Sequence, residues 1–125
     1  MSDFNILHVE DDVECNFLLT EALRKEKRAS VSWAPNKTYA ERKMRFKHYD
    51  LIVCGGEIPD WPGHVEDVLR LSGRAEVVIY ASRQSPAFTL KTMLKAFSRS
   101  SEGTHTLIKY IKSKIRSGNM NEEDS

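Results

Sequence analysis

The stretch Asp50-Leu51-Ile52-Val53-Cys54-Gly55-Gly56-Glu57-Ile58-Pro59-Asp60-Trp61-Pro62-Gly63 decides how this chain is read. Leu51 to Cys54 is apolar at every position, not at alternate ones. That pattern predicts a strand covered on both faces, as in a parallel sheet with helices on each side. Gly55-Gly56 ends the strand. Ile58 to Gly63 carries two prolines and reads as a stiff loop.

Two more segments share this character. Asn5-Ile6-Leu7-His8-Val9 runs into the acidic Glu10-Asp11-Asp12, and Glu76-Val77-Val78-Ile79-Tyr80-Ala81 follows later. Ser30 to Ala34 alternates like a short strand, and Lys95 to Ser98 is a weaker candidate. Helical spacing fills the gaps. Phe17, Leu18, Ala22 and Leu23 predict a first helix, capped by Asp11 or Asp12. A second, capped by Thr38 and reaching about His48, has Tyr39, Ala40, Met44 and Phe46 as its inner side. Val65, Val68 and Leu69 predict a third. Ser85-Pro86 starts a fourth, with Leu90, Met93 and Leu94 buried. Leu107, Ile108, Ile111 and Ile115 form the inner stripe of the last, which Gly118 is expected to stop. Residues 1–117 make one domain, and residues 118–125 an acidic, disordered tail.

The order βαβαβαβαβα predicts an α/β fold: a flavodoxin-like doubly wound (βα)5 sandwich with a parallel five-stranded sheet in the order 2-1-3-4-5. Sites in such sheets lie beyond the carboxyl ends of strands 1 and 3. Here those ends are Glu10-Asp11-Asp12 and Cys54-Gly55-Gly56-Glu57.

Composition narrows the function. The chain has 125 residues, a formal charge of +1 and two cysteines. It is one domain's length, with no apolar run near the roughly 20 residues of a membrane span and no visible secretory signal. A cytoplasmic location with reduced Cys15 and Cys54 is expected. Setting aside the three acids of the last four residues raises the charge only to +4, so the basic runs Arg24–Arg28 and Lys109–Arg116 read as solvated helix ends.

The first strand with its acidic pair, Ile6 to Asp12, and the segment Asp50 to Gly63 together resemble a response-regulator receiver domain of two-component signalling. Ile58-Pro59-Asp60-Trp61-Pro62-Gly63 matches that family's M-P-D-x-x-G pattern, and the resemblance covers about residues 4 to 117. Receivers accept a phosphoryl group on an aspartate at the end of strand 3. In this chain Gly55 stands there. The family's hydroxyl residue falls on Ala81, with Ser82 one place later, and its lysine on about Ser100, with Arg99 one place earlier. The resemblance is therefore to a degenerate pseudo-receiver.

Each departure removes a piece of chemistry. Phosphoryl transfer needs a carboxylate nucleophile, and glycine offers none. A divalent cation needs hard oxygen ligands. Glu10, Asp11 and the carbonyl of Glu57 imply at most a weak, vestigial Mg2+ site, so no cofactor is required. Glu57, two residues past Gly55, shares its strand face if the strand continues, and is otherwise a solvated loop residue. His8 reads as a buried core histidine, and His48 and His105 as surface residues.

The expected function is a non-enzymatic, phosphorylation-independent receiver that stands alone as a protein–protein interaction module in signal transduction. Its docking surface is expected on the fourth helix, fifth strand and last helix, with Phe97 ringed by Lys91, Lys95, Lys109 and Lys112. A homodimer is compatible with the sequence, and a membrane partner is not expected. Two alternatives stay open: a regulator that accepts phosphate on an unusual residue, Glu57 or Asp11, and a small nucleic-acid-binding protein, which the mild charge disfavours.

Overall fold

The computed structural model describes residues 4–55, 68, 70–82 and 94–124. The five strands are β1 (Phe4–Val9), β2 (Ala29–Ala34), β3 (Leu51–Gly55), β4 (Glu76–Ala81) and β5 (Ala96–Ser98). The helices bounded among the described residues are α1 (Val13–Leu23), α2 (Lys37–Phe46) and α3 (Ser101–Asp124). The strands form one parallel sheet in the order β2-β1-β3-β4-β5. This is the doubly wound order expected from the apolar strands.

The central strands are apolar throughout because each feeds two cores. Leu51 and Val53 join Ile6, Val78 and Tyr80 beneath α1 and α3, where Leu19, Leu23, Leu107, Ile111 and Ile115 close the layer. Ile52 and Cys54 join Leu7, Val9, Val77 and Ile79 on the opposite face, with Ala40 of α2. Burying one such aliphatic side chain stabilises the fold by about 1.5–3 kcal/mol. Register then aligns the carboxyl ends: Val9 lies beside Cys54, Gly55 beside Tyr80 and Ala81 beside Ser98.

Several helical expectations are corrected. On α1, Phe17 and Leu18 are 60% and 62% exposed, and the buried residues are Leu19 and Leu23. The inner stripe begins with the half-buried polar pair Cys15 and Asn16, which a reading by hydrophobicity assigns outward. On α2, Tyr39 and Phe46 face solvent, at 48% and 85% exposure. Ala40 and Met44, one turn apart, supply that helix's contact with the core. Its cap is Asn36, whose Oδ1 accepts the Tyr39 N–H at 3.0 Å, not Thr38. The helix ends at Phe46, short of His48. The last helix does not stop at Gly118 but continues to Asp124. An interior glycine costs about 1 kcal/mol but leaves the hydrogen-bond ladder intact. Of the third predicted helix, Val68, Arg70 and Leu71 are helical. The rest of it, the loop Ile58–Gly63 with Glu57, and the fourth predicted helix with Lys91 lie outside the described residues.

Candidate functional site

Residues 6, 8 and 10 share one face of the β1 edge by strand alternation, the face beneath α1 and α3. His8 and Glu10 are both fully buried there. The Trp33 indole N–H of the neighbouring strand donates to the Glu10 carbonyl at 2.6 Å and fixes its backbone. Just beyond it, Asp12 caps α1, accepting from Glu14 N at 2.9 Å. Asp12 N in turn donates to Glu10 Oε2 at 3.1 Å. Asp11 is exposed, and its side chain reaches the Glu10 carboxyl, where their hydrogen bond adds to the upward push on Glu10.

The cation of the site comes from the opposite side. Arg99 follows β5 directly, and its guanidinium lies across the sheet's carboxyl edge. Nη2 pairs with Glu10 Oε1. Nη1 donates to Cys15 Sγ at 3.0 Å, and Nε to the Tyr80 carbonyl at 3.3 Å. The plane sits 4.9 Å from the Tyr80 ring centroid. Ser100 is not the residue that enters. Its Oγ accepts from Gly103 N at 3.0 Å and its carbonyl from Thr104 N at 2.9 Å, so it caps α3. Gly103 permits this close start, because a Cβ there would collide with Ser98. Ala81 ends β4, fully buried, and its carbonyl accepts the Arg99 N–H at 3.0 Å.

Gly55 lies beneath this pair. A Cβ on it would stand 2.8 Å from Glu10 Oε1, 3.0 Å from Arg99 Nη2 and 3.0 Å from the Val9 carbonyl. The missing side chain is thus matched by a filled space. Burial pushes the Glu10 carboxyl above its ordinary range, and the Arg99 charge and hydrogen bond pull it partly back. Burial disfavours the Arg99 cation, but Glu10 outweighs this and leaves the guanidinium held above its usual value.

His8 completes the cluster. Its Nδ1 meets Asn16 Oδ1 at 3.1 Å. That oxygen only accepts, so Nδ1 carries the proton. Nε2 is buried without a hydrogen-bond partner, 3.8 Å from Glu10 Oε1. Burial lowers the imidazole pKa to about 4, against the Asn16 hydrogen bond and with the Arg99 charge. Sequence reasoning set His8 in the core correctly but missed Arg99, Asn16 and Cys15 as its companions. The available signals were the i, i+2 spacing of His8 and Glu10 and a long cation immediately after the last strand.

These residues do not suit a divalent cation. Glu10 already has a guanidinium counter-charge, and Gly55 brings no ligand. Among the described residues no group of three His, Cys, Asp or Glu side chains converges as a metal site would require. Glu57 lies outside them.

The expected docking face is only partly assembled. Lys95, Ala96, Phe97, Thr106, Lys109 and Tyr110 line a groove of about 610 Å3 between β5 and α3. Phe97 is not a presented anchor. It is 9% exposed and packs against Tyr110 at 5.5 Å between ring centroids. Its replacement therefore tests core packing. Tyr110, which sequence reasoning passed over, is the groove's aromatic wall, with Lys95 Nζ and Lys114 Nζ each 5.3 Å from its ring. Lys112 lies half-buried on α3, outside the groove lining.

No family model matches the sequence, and no curated protein does either. Solved structures do match. One is a response regulator from Thermotoga maritima, 13% identical, with a TM-score of 0.74 over 93% of this chain and 99% of that one.

The fold is that of a receiver domain.

A CheY-like receiver domain from Methanospirillum hungatei is 18% identical, with a TM-score of 0.70 over 94% of this chain and 98% of its own. CheY6 of R. sphaeroides, solved in complex with the P1 domain of CheA3, gives a structure match at 19% identity and TM-score 0.66, over 90% of this chain and 97% of that one. No helix among the described residues is long and apolar enough to cross a membrane.

Proposed function

We propose that this chain is a phosphorylation-independent receiver-like module that acts in a cytoplasmic signalling pathway by docking a protein partner, without enzymatic activity. The observation that carries the reading is Arg99, whose guanidinium pairs with buried Glu10 above a glycine. A receiver pocket must admit a metal ion and a phosphoryl donor beside a carboxylate nucleophile. Here an internal cation neutralises Glu10 in place of the metal, and no nucleophile stands at Gly55. The conformation is held by protein groups alone and has no phosphoryl input. That CheY6 was solved with a P1 domain supports a protein as the partner. The groove with Tyr110, Lys95 and Lys109 favours an acidic segment of that partner, since cations beside an aromatic wall attract carboxylates and desolvate little.

Incubation with acetyl phosphate and Mg2+ tests this by intact mass. The expected result is no phosphoryl adduct, and a melting temperature that does not move with Mg2+. A stoichiometric, base-labile adduct would overturn the reading and point to Glu57 or Asp11 as the acceptor.

A further inference from the structure

The outer face of α1 has no part in the pocket or in the groove. Val13, Phe17 and Leu18 are 62%, 60% and 62% exposed, side by side on one face. With Glu14 they line a shallow depression of about 380 Å3. Apolar side chains scattered singly over a surface are ordinary, but three lining one depression mark an interaction site. The helix does not need them for its own packing, because Leu19 and Leu23 already fill the sheet side.

Charge selects the occupant. The start of the helix is acidic, with Asp11, Asp12 and Glu14 exposed. Its end is basic, with Arg24, Lys25 and Lys27 exposed. Glu21, on the same face, has its counter-charge in Arg24 of its own helix at 3.8 Å. A face that is acidic at one end, apolar in the middle and basic at the other complements itself when turned end for end. A two-fold axis performs that operation. Antiparallel pairing sets Glu14 of each copy opposite Arg24 of the other, and opposes the two helix dipoles favourably. The ten residue steps from Glu14 to Arg24 span about 15 Å, so the axis passes at the level of residue 19 and Phe17 and Leu18 fall within about 3 Å of it. Parallel pairing would bring like charges together. We infer that α1 is a self-association surface, and that two copies of this chain pair antiparallel through Phe17 and Leu18 with Glu14–Arg24 contacts at the ends. This inference is independent of the module reading, since Glu14, Phe17, Leu18 and Arg24, which carry the pairing, belong neither to the pocket nor to the groove.

Sedimentation equilibrium of the full chain, over a concentration series reaching about 1 mM, tests it. The expected result is a reversible dimer that weakens as salt rises. Phe17→Glu is expected to raise the dimer Kd by about tenfold or more. Glu14→Arg and Arg24→Glu are each expected to weaken it by about threefold or more, and their combination to restore it. The two charge variants change exposed residues, so they decide the matter even where Phe17→Glu perturbs folding. A wild-type chain that stays monomeric throughout the series overturns the inference and leaves the face to a different protein. A dimer indifferent to Phe17→Glu, or a double charge variant no tighter than the single ones, overturns it as well.

Discussion

Arg99 lies 4.9 Å from the Tyr80 ring, and Lys95 lies 5.3 Å from the Tyr110 ring. Both are cations over a tyrosine, one at the carboxyl edge of the sheet and one in the groove between β5 and α3. They do opposite work. Arg99 is directed inward to a carboxylate with no solvent exposure and donates to two further protein acceptors. Lys95 faces water. A guanidinium tied to three protein acceptors is held in one orientation, whereas an exposed ammonium is free to turn its donors to a ligand. The contrast separates a cation tied into a buried cluster from one that faces solvent.

The sharpest way to break this contrast is to remove the inward cation. Arg99→Met leaves Glu10 buried without its counter-charge, which is expected to cost about 3–5 kcal/mol in chemical denaturation. The loss depends on pH. Without Arg99 the Glu10 carboxyl, already raised by burial, rises further. A group whose pKa is higher in the fold stabilises it below the unfolded value and loses that contribution as pH climbs through the folded one. Arg99→Met should therefore be closest to wild type in acid and fall away toward neutral pH. Glu10→Gln combined with Arg99→Met should recover much of the loss at pH 7. If the single variant unfolds no more easily than wild type, the pair is not an internal substitute for a metal.

His8 gives the next largest effect, and its sign is opposite. Its pKa falls from 6.5 in the unfolded chain to about 4 in the fold. The unfolded state binds the proton first, so stability is full above about pH 6.5 and is lost as pH falls toward 4. The whole shift corresponds to about 3 kcal/mol. Imidazole chemical shifts should show His8 still neutral at pH 5. A His8 that titrates near 6.5 would mean that the cluster is wetter than its burial implies.

Gly55 is expected to respond more mildly. Gly55→Ala places a methyl against Glu10, Arg99 and the Val9 carbonyl, and overpacking of this kind costs about 1–3 kcal/mol. Gly55→Asp restores the nucleophile on paper. It should nonetheless stay unmodified by acetyl phosphate, because Arg99 still occupies the approach. Stoichiometric phosphorylation of Gly55→Asp would show that the missing carboxylate alone had silenced the pocket.

Much of this architecture is legible in the residues. Leu51 to Cys54 and Ile6 to Val9 are apolar at every position, and only a sheet buried on both faces requires that, so order and topology followed. The acidic pair, Gly55 and Ala81 located the site. What could not be read was which way polar residues turn. Cys15 and Asn16 look like outward positions until Arg99 and His8 are seen to need them, and that single displacement moved Phe17 and Leu18 to the surface. Arg99 and Ser100 are adjacent in sequence. Their roles, pocket cation and helix cap, were divided by where β5 ends, and a three-residue strand carries too little pattern to fix its end. Phe97 looked like an anchor because its neighbours in sequence are lysines, whereas its neighbours in space are Tyr110 and the core.

The groove provides the gentlest and most selective test. Lys95 and Lys109 are exposed, and neither has an ion pair of its own among the described residues. Lys95 contributes a cation–π contact with Tyr110, worth about 0.5–1 kcal/mol at an exposed site, and Lys114 remains on the same ring. Reversing both charges, Lys95→Glu with Lys109→Glu, should shift stability by no more than about 1 kcal/mol. Binding of an acidic peptide, followed by fluorescence anisotropy, should respond far more. Two attractive charges become repulsive, so affinity should fall by about tenfold or more at low salt, with the gap closing as salt rises. Arg99→Met makes the matching control. It should destabilise the fold while leaving peptide affinity unchanged under conditions where the chain remains native. If the groove variant binds as wild type does, the open cations are only solvated, and the contrast with Arg99 reduces to burial without a functional surface.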